Sequence, residues 1–97
     1  MDTVVDLVAI LRHEIADYVR PSPNSVAYYL ENAEKQVFSV VGVPADRAKR
    51  PVIMLMARVD HDNVIIEADI TNKPLHVELK RAGIPADQIT LAYEGAS

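Results

Sequence analysis

Residues 51–69 read PVIMLMARVDHDNVIIEAD, and this stretch decides the fold. From Val52 to Val59 the run is apolar except at Arg58, the composition of a strand covered on both faces. Asp60, His61, Asp62 and Asn63 interrupt it with the polar residues of a tight turn, and Val64, Ile65 and Ile66 then resume a pleated pattern. The two runs therefore form a hairpin. Within the first run a period of two places Ile53, Leu55, Ala57 and Val59 on one face and Val52, Met54 and Met56 on the other. A strand apolar on both sides belongs in the middle of a sheet.

Upstream, Lys35 to Gly42 carries Val37, Phe38, Val40 and Val41, which suit a strand. It is preceded across the short turn Asn32-Ala33-Glu34 by a run in which Val26, Tyr28 and Leu30 alternate with Ala27, Tyr29 and Glu31. Earlier still, Val4, Leu7, Val8, Leu11, Ile15, Tyr18 and Val19 recur at helical spacing. The spacing predicts an amphipathic helix from Thr3 to about Arg20, capped by Thr3, favoured at its positive end by Asp2 and Asp6, and stopped by Pro21 and Pro23.

Downstream, Thr71 or Asn72 can cap a second helix opened by Pro74, with Leu75, Leu79 and Ala82 on its inner face. Gly83 can take the left-handed conformation that ends it, and Ile84 can fold back on Leu79. After the turn Pro85–Gln88, Ile89 to Tyr93 reads as a last short strand. The order α-β-β-β-β-α-β specifies an α+β fold, a mainly antiparallel sheet with helices packed on one face, and residues 1–97 supply one domain. Leu7, Leu11, Ile15, Leu55, Ile66, Leu79 and Leu91 are its expected core.

Composition narrows the function classes. A hydrophobic share of 49% with 25% charged residues is that of a folding chain. With no cysteine, disulfides, thiolate metal sites and cysteine nucleophiles are excluded, and a reducing, cytoplasmic setting is expected. No apolar run is long enough to span a bilayer as a helix. The net charge of −4 opposes autonomous binding to nucleic acid. The charges are uneven along the chain: Val43 to Arg58 is basic, with Arg47, Lys49, Arg50 and Arg58, whereas Asp60 to Asp69 is acidic, with Asp60, Asp62, Glu67 and Asp69.

Catalytic patterns fail one by one. His13 and Asp17 stand one helical turn apart, but a zinc-protease helix carries a second histidine where Asp17 is. Asp60-His61-Asp62 lacks the glycine and distal glutamate of a calcium loop. His76 falls on an exposed helix face with no nucleophile assigned to it by spacing, and the three isolated glycines make no phosphate loop. No catalytic residue, metal site or cofactor is therefore expected. The candidates that remain are Arg47, Lys49 and Arg50, a basic loop suited to an acidic protein surface and lacking the aromatic neighbours that base stacking needs. Two small helices cover only one face of the sheet, so its second apolar face predicts a homodimer with Met54 and Met56 in the contact.

The segment from Val64 through Asp69 and Thr71 to Pro74, then Leu75, Leu79, Ala82-Gly83-Ile84-Pro85, Asp87, Ile89 and Leu91-Ala92-Tyr93, resembles the XisI family, named for a controlling factor of DNA-element excision in heterocyst-forming cyanobacteria. The chain departs from it at Val41-Gly42-Val43-Pro44, where many members carry a tryptophan, and it ends at Ser97, short of the family's C-terminal extension. The resemblance implies a non-catalytic accessory role in site-specific excision, exercised through a protein partner, and leaves direct contact with nucleic acid open. Two other readings compete with it, an inhibitor or assembly factor of a nuclease-like companion and a small-ligand-binding dimer.

Overall fold

In the computed structural model, which describes residues 6–93, the first helix, α1, runs over Leu7–Ala16. Asp6 caps it: its backbone is extended, and its carboxylate accepts a hydrogen bond from the Ala9 amide at 3.0 Å. One of the amides that a first turn leaves unpaired is thereby satisfied. The expected cap Thr3, with Asp2 and Val4, lies outside the described residues. The helix also stops at Ala16, earlier than Pro21 and Pro23 require. Asp17 is its C-cap, and the Tyr18 and Val19 amides donate to the carbonyls of Ile15 and Ala16 at 2.9 and 3.1 Å, tightening the last turn. Tyr18 and Val19 nevertheless pack on the core, so apolar spacing continues after the helix has ended.

A five-stranded sheet follows in the spatial order β1-β2-β3-β4-β5. Its strands are β1 (Ser25–Asn32), β2 (Val37–Pro44), β3 (Val52–Asp60), β4 (Asn63–Asp69) and β5 (Ile89–Leu91). The first four form an antiparallel meander, and β5 lies parallel to β4. A parallel neighbour requires a crossover, which the second helix, α2 (Leu75–Arg81), supplies. His61 has φ 57°, giving the tight turn between β3 and β4 its left-handed residue.

Helix α2 stops where Gly83 and Ile84 predict. Gly83 has φ 108°, its amide donates to the Lys80 carbonyl at 3.1 Å, and the Ile84 amide reaches the Leu79 carbonyl at 3.0 Å. Those are the two bonds of a Schellman stop, and buried Ile84 supplies its hydrophobic contact. The start of α2 differs from expectation. Neither Thr71 nor Asn72 caps it; the Asp69 carboxylate at the end of β4 accepts from the Leu75 amide at 2.8 Å and from the Thr71 amide and hydroxyl at 2.9 and 2.6 Å.

One face of the sheet carries Phe38, Val40, Leu55, Ala57, Val64 and Ile66 against Leu7, Leu11 and Ile15 of α1 and Leu75 and Leu79 of α2, forming a single cluster. All the expected core positions are buried except Leu91, which sits half-buried on the short edge strand β5. Two bulges reshape the central strand. Val40 pairs with Leu55 but Val41 pairs with Ile53, so Met54 is the extra residue. Met56 pairs with Ala68 but Ala57 pairs with Ile66, so Glu67 is extra in β4. A bulge resets side-chain alternation. Ile53, expected to share the face of Leu55, is in consequence 50% exposed. Among the described residues no helix is long and apolar enough to cross a membrane.

Candidate interaction surface

Strand β2 ends, β3 begins, and β4 ends at the same end of the sheet, where the connection 45–51 and the segment 70–74 both lie. The connection is shaped by Asp46. Its side chain accepts from the Ala48 amide at 2.9 Å and its carbonyl accepts from the Lys49 amide at 3.0 Å, a local turn that substitutes for strand pairing. Arg47, Lys49 and Arg50 on it are exposed, and none of the three pairs with a carboxylate among the described residues. Directly beyond Pro51, Val52 and Ile53 are 46% and 50% exposed. Ile70, whose amide donates to the Met54 carbonyl at 3.0 Å, is 66% exposed. Three unpaired cations thus share one end of the sheet with three large exposed apolar side chains, of which Val52 and Ile53 lie on opposite faces of β3. The sequence supplies the cations; the apolar half is hidden in it, because the exposure of Ile53 follows from a bulge and that of Ile70 from the end of β4.

The acidic run from Asp60 to Asp69 does not form an acidic surface. The Arg58 guanidinium, which the linear count assigns to the basic run, bonds Glu67 at 2.8 Å and approaches Asp60 at 3.7 Å, while Asp60 also contacts His61 Nδ1 at 2.7 Å. The Glu67 hydrogen bond raises the pKa of Arg58 above its ordinary value. Asp69 is committed to α2, which leaves Asp62.

The remaining sequence candidates separate in space. His13 is exposed and approaches only Glu14, at 4.0 Å, while Asp17 is held by Lys73 at 2.7 Å and Arg20 at 3.2 Å. The Lys73 hydrogen bond depresses the Asp17 pKa. His76 is half-buried on α2 rather than exposed. Among the described residues no group of three metal-ligating side chains converges. Met54, expected at a dimer contact, packs against the core with its sulfur above Gly42, where an added Cβ would lie 3.0 Å from it. Met56 pairs with Ser39 and Ala68 on the face the helices leave uncovered.

A cavity of about 350 Å³ opens beside this end of the sheet, lined by Tyr18, Met54, Ile70, Thr71 and Lys73 among others. Its polar groups are bonded to one another. Lys73 Nζ lies 4.7 Å from the Tyr18 ring centroid and pairs with Asp17, the Tyr18 hydroxyl donates to the Lys73 carbonyl, and the Thr71 hydroxyl contacts Asp69. Burial, with the charge of Asp69 behind it, pushes the Tyr18 hydroxyl pKa upward. The cavity is a latch between the end of α1 and the β4–α2 connection.

A second cluster ties α1 to β1. Arg12 makes a bidentate pair with Glu31, at 2.9 and 2.6 Å, and the Tyr29 hydroxyl donates to the same carboxylate. The Arg12 hydrogen bond first, then that of Tyr29, holds the Glu31 carboxyl at about 2 against an ordinary 4.5. Burial pushes Tyr29 up to about 12, with Glu31 adding to the shift. A depressed carboxyl stabilises the fold above its unfolded pKa and loses that contribution as the pH falls through the folded one. The wild-type unfolding midpoint should therefore drop between pH 4.5 and 2 more steeply than that of Glu31→Gln. Parallel acid titrations of the two proteins check this, and superimposable slopes would show that the bridge does not couple to folding.

No family model matches the chain, and neither does any curated protein sequence. The architecture, a helix, a four-strand meander and a helical crossover to a parallel edge strand, is that of XisI-like proteins. A solved XisI-like protein from Anabaena variabilis matches it with a TM-score of 0.79 at 12% identity, over 88% of this chain and 82% of that one. The fdxN element excision controlling factor XisI from the same organism matches with a TM-score of 0.63 at 22% identity and the same coverage. At these identities the likeness is one of fold.

Proposed function

We propose that this chain is a non-catalytic accessory factor that acts by docking on a protein partner, in the manner of an excision controlling factor for a DNA element. The observation that carries the docking surface is that Arg47, Lys49 and Arg50, without carboxylate partners among the described residues, lie at the same end of the sheet as exposed Val52, Ile53 and Ile70. Such a patch suits a partner that presents carboxylates around an apolar centre, because opposite charge steers encounter while the apolar area supplies affinity. The fold likeness to an excision controlling factor supports the accessory role. The net charge of −4 supports a protein rather than bare DNA as the immediate target.

Changing Arg47, Lys49 and Arg50 together to Glu should leave the denaturation midpoint within about 0.5 kcal/mol of the parent, since exposed positions tolerate substitution. Recovery of the partner that co-purifies with the parent from its native host should fall sharply. Equal recovery by both versions would remove the loop from the interface. A salt-sensitive gel shift of DNA by the purified chain would replace the protein partner with nucleic acid.

A further inference from the structure

Strand β1 is a sheet edge, and the hydrogen-bond phase of the ladders shows which of its backbone groups are free. The Asn24 carbonyl accepts from the Ala45 amide at 2.9 Å, and bonded and non-bonded pairs alternate along an antiparallel ladder. With Ser25 opposite Pro44, it follows that Val26, Tyr28 and Leu30 bond to β2. The next ladder gives the same phase independently. The Gln36 carbonyl accepts from the Val59 amide at 3.0 Å, which commits Phe38 and Val40 to β3 and leaves Ser39, Val41 and Val43 for β1. The N–H and C=O groups of Ala27, Tyr29 and Glu31 therefore point away from the sheet.

Edges normally carry a device that prevents pairing with another chain: a proline, a lysine, a bulge, or simply brevity. The far edge, β5, has only three residues. β1 has eight, with no proline, lysine or arginine, and its register with β2 is unbroken. Among the described residues only its first position is occupied, by the bridge between Ser22 and Ser25. Val26, Tyr28 and Leu30 on its open face are each slightly more than half exposed.

We infer that two copies of this chain pair antiparallel through β1, with Tyr28 on the two-fold axis, joining their sheets into one. The register is chosen by the side chains. With Tyr28 opposite Tyr28 of the second copy, Val26 of each copy faces Leu30 of the other, so every exposed apolar residue of the strand gains an apolar partner, and Ala27 exchanges both hydrogen bonds with Tyr29. Placing Tyr29 on the axis sets Val26 against Asn32; placing Ala27 there sets Leu30 against Asn24. Cross-strand apolar pairs are the unit of sheet stabilisation, and they select the Tyr28 register. The dimer expected from the sequence thus moves from the face of the sheet to its edge, and it does not depend on the basic loop.

The absence of cysteine makes the test direct. Residues on the axis of a non-bonded antiparallel pair have Cα atoms about 4.5 Å apart, within the reach of a disulfide. The unmodified chain should sediment as a dimer. Tyr28→Cys should convert to a covalent dimer on mild oxidation, and Ala33→Cys, in the turn beyond β1, should not. Tyr28→Lys, which brings two ammonium groups together at an exposed position, should keep its circular dichroism while dimerisation weakens at least about tenfold. A monomeric parent chain at all concentrations would overturn the inference, as would cross-linking of Ile53→Cys, on the sheet face, more readily than Tyr28→Cys.

Discussion

Replacing Leu55 by Ala lowers the unfolding free energy by about 2–5 kcal/mol, the range for a fully buried leucine whose site does not collapse. Leu55 has no exposed surface and occupies the third of five strands, opposite Val40 on one side and Asp69 on the other. Backbone ladders fix β3 on both flanks, so the sheet cannot close over the missing methyl groups, and the helices above are held by Leu11, Ile15, Leu75 and Leu79. For a domain of this size each kcal/mol shifts the melting temperature by about 4–8 °C. The informative comparison is Ile53→Ala, two residues away. A strand of uninterrupted period two puts Ile53 and Leu55 on one face and makes their losses similar. The bulge at Met54 turns Ile53 outward, so its truncation should cost less than about 1 kcal/mol. Urea midpoints for the two variants, at unchanged m, decide it, and equal losses would mean that the bulge is absent in solution.

The same two residues show what the sequence discloses and what it withholds. Elements defined by neighbouring residues are legible: the turn at Asp60–Asn63, the Schellman stop at Gly83-Ile84, and the meander between Val26 and Ile66 all follow from local composition. Features that need a second strand are not. A bulge is a mismatch between two registers, and nothing within Val52–Val59 marks Met54 as the extra residue, which is why Met54 falls on the core side while Met56 keeps its expected face. The end of α1 is obscured for a different reason, since Tyr18 and Val19 are apolar for their packing and not for helical phase. The surface divides likewise. Arg47, Lys49 and Arg50 are visible as a charge run, but the neutralisation of the acidic run depends on Arg58 reaching Glu67 across the β3–β4 hairpin.

Asp69→Ala is the second substitution with a large expected effect, and one that helix propensities would not single out. Helix α2 has seven residues, too few to persist without packing and caps. Its N-cap position is Pro74, which offers no side-chain acceptor, and the only capping bond to its first amide comes from a carboxylate six residues earlier, at the end of a strand. Removing that carboxylate strands the Leu75 and Thr71 amides, both partly buried, while the Thr71 hydroxyl keeps the Lys73 carbonyl at 3.0 Å as its acceptor. Leaving such donors unpaired costs about 1–3 kcal/mol. The loss should be local before it is global. Because α2 carries Leu75, Leu79 and the crossover to β5, hydrogen exchange in α2 and β5 should accelerate ahead of exchange in β1–β3. Asp69→Asn should fall between the two, since its carboxamide keeps one acceptor where the carboxylate offers two. Asp62→Ala, an exposed acid in the preceding turn, should change stability by less than about 0.5 kcal/mol. If Asp69→Ala were as mild as Asp62→Ala, the strand-to-helix cap would contribute nothing, and the start of α2 would rest on packing alone.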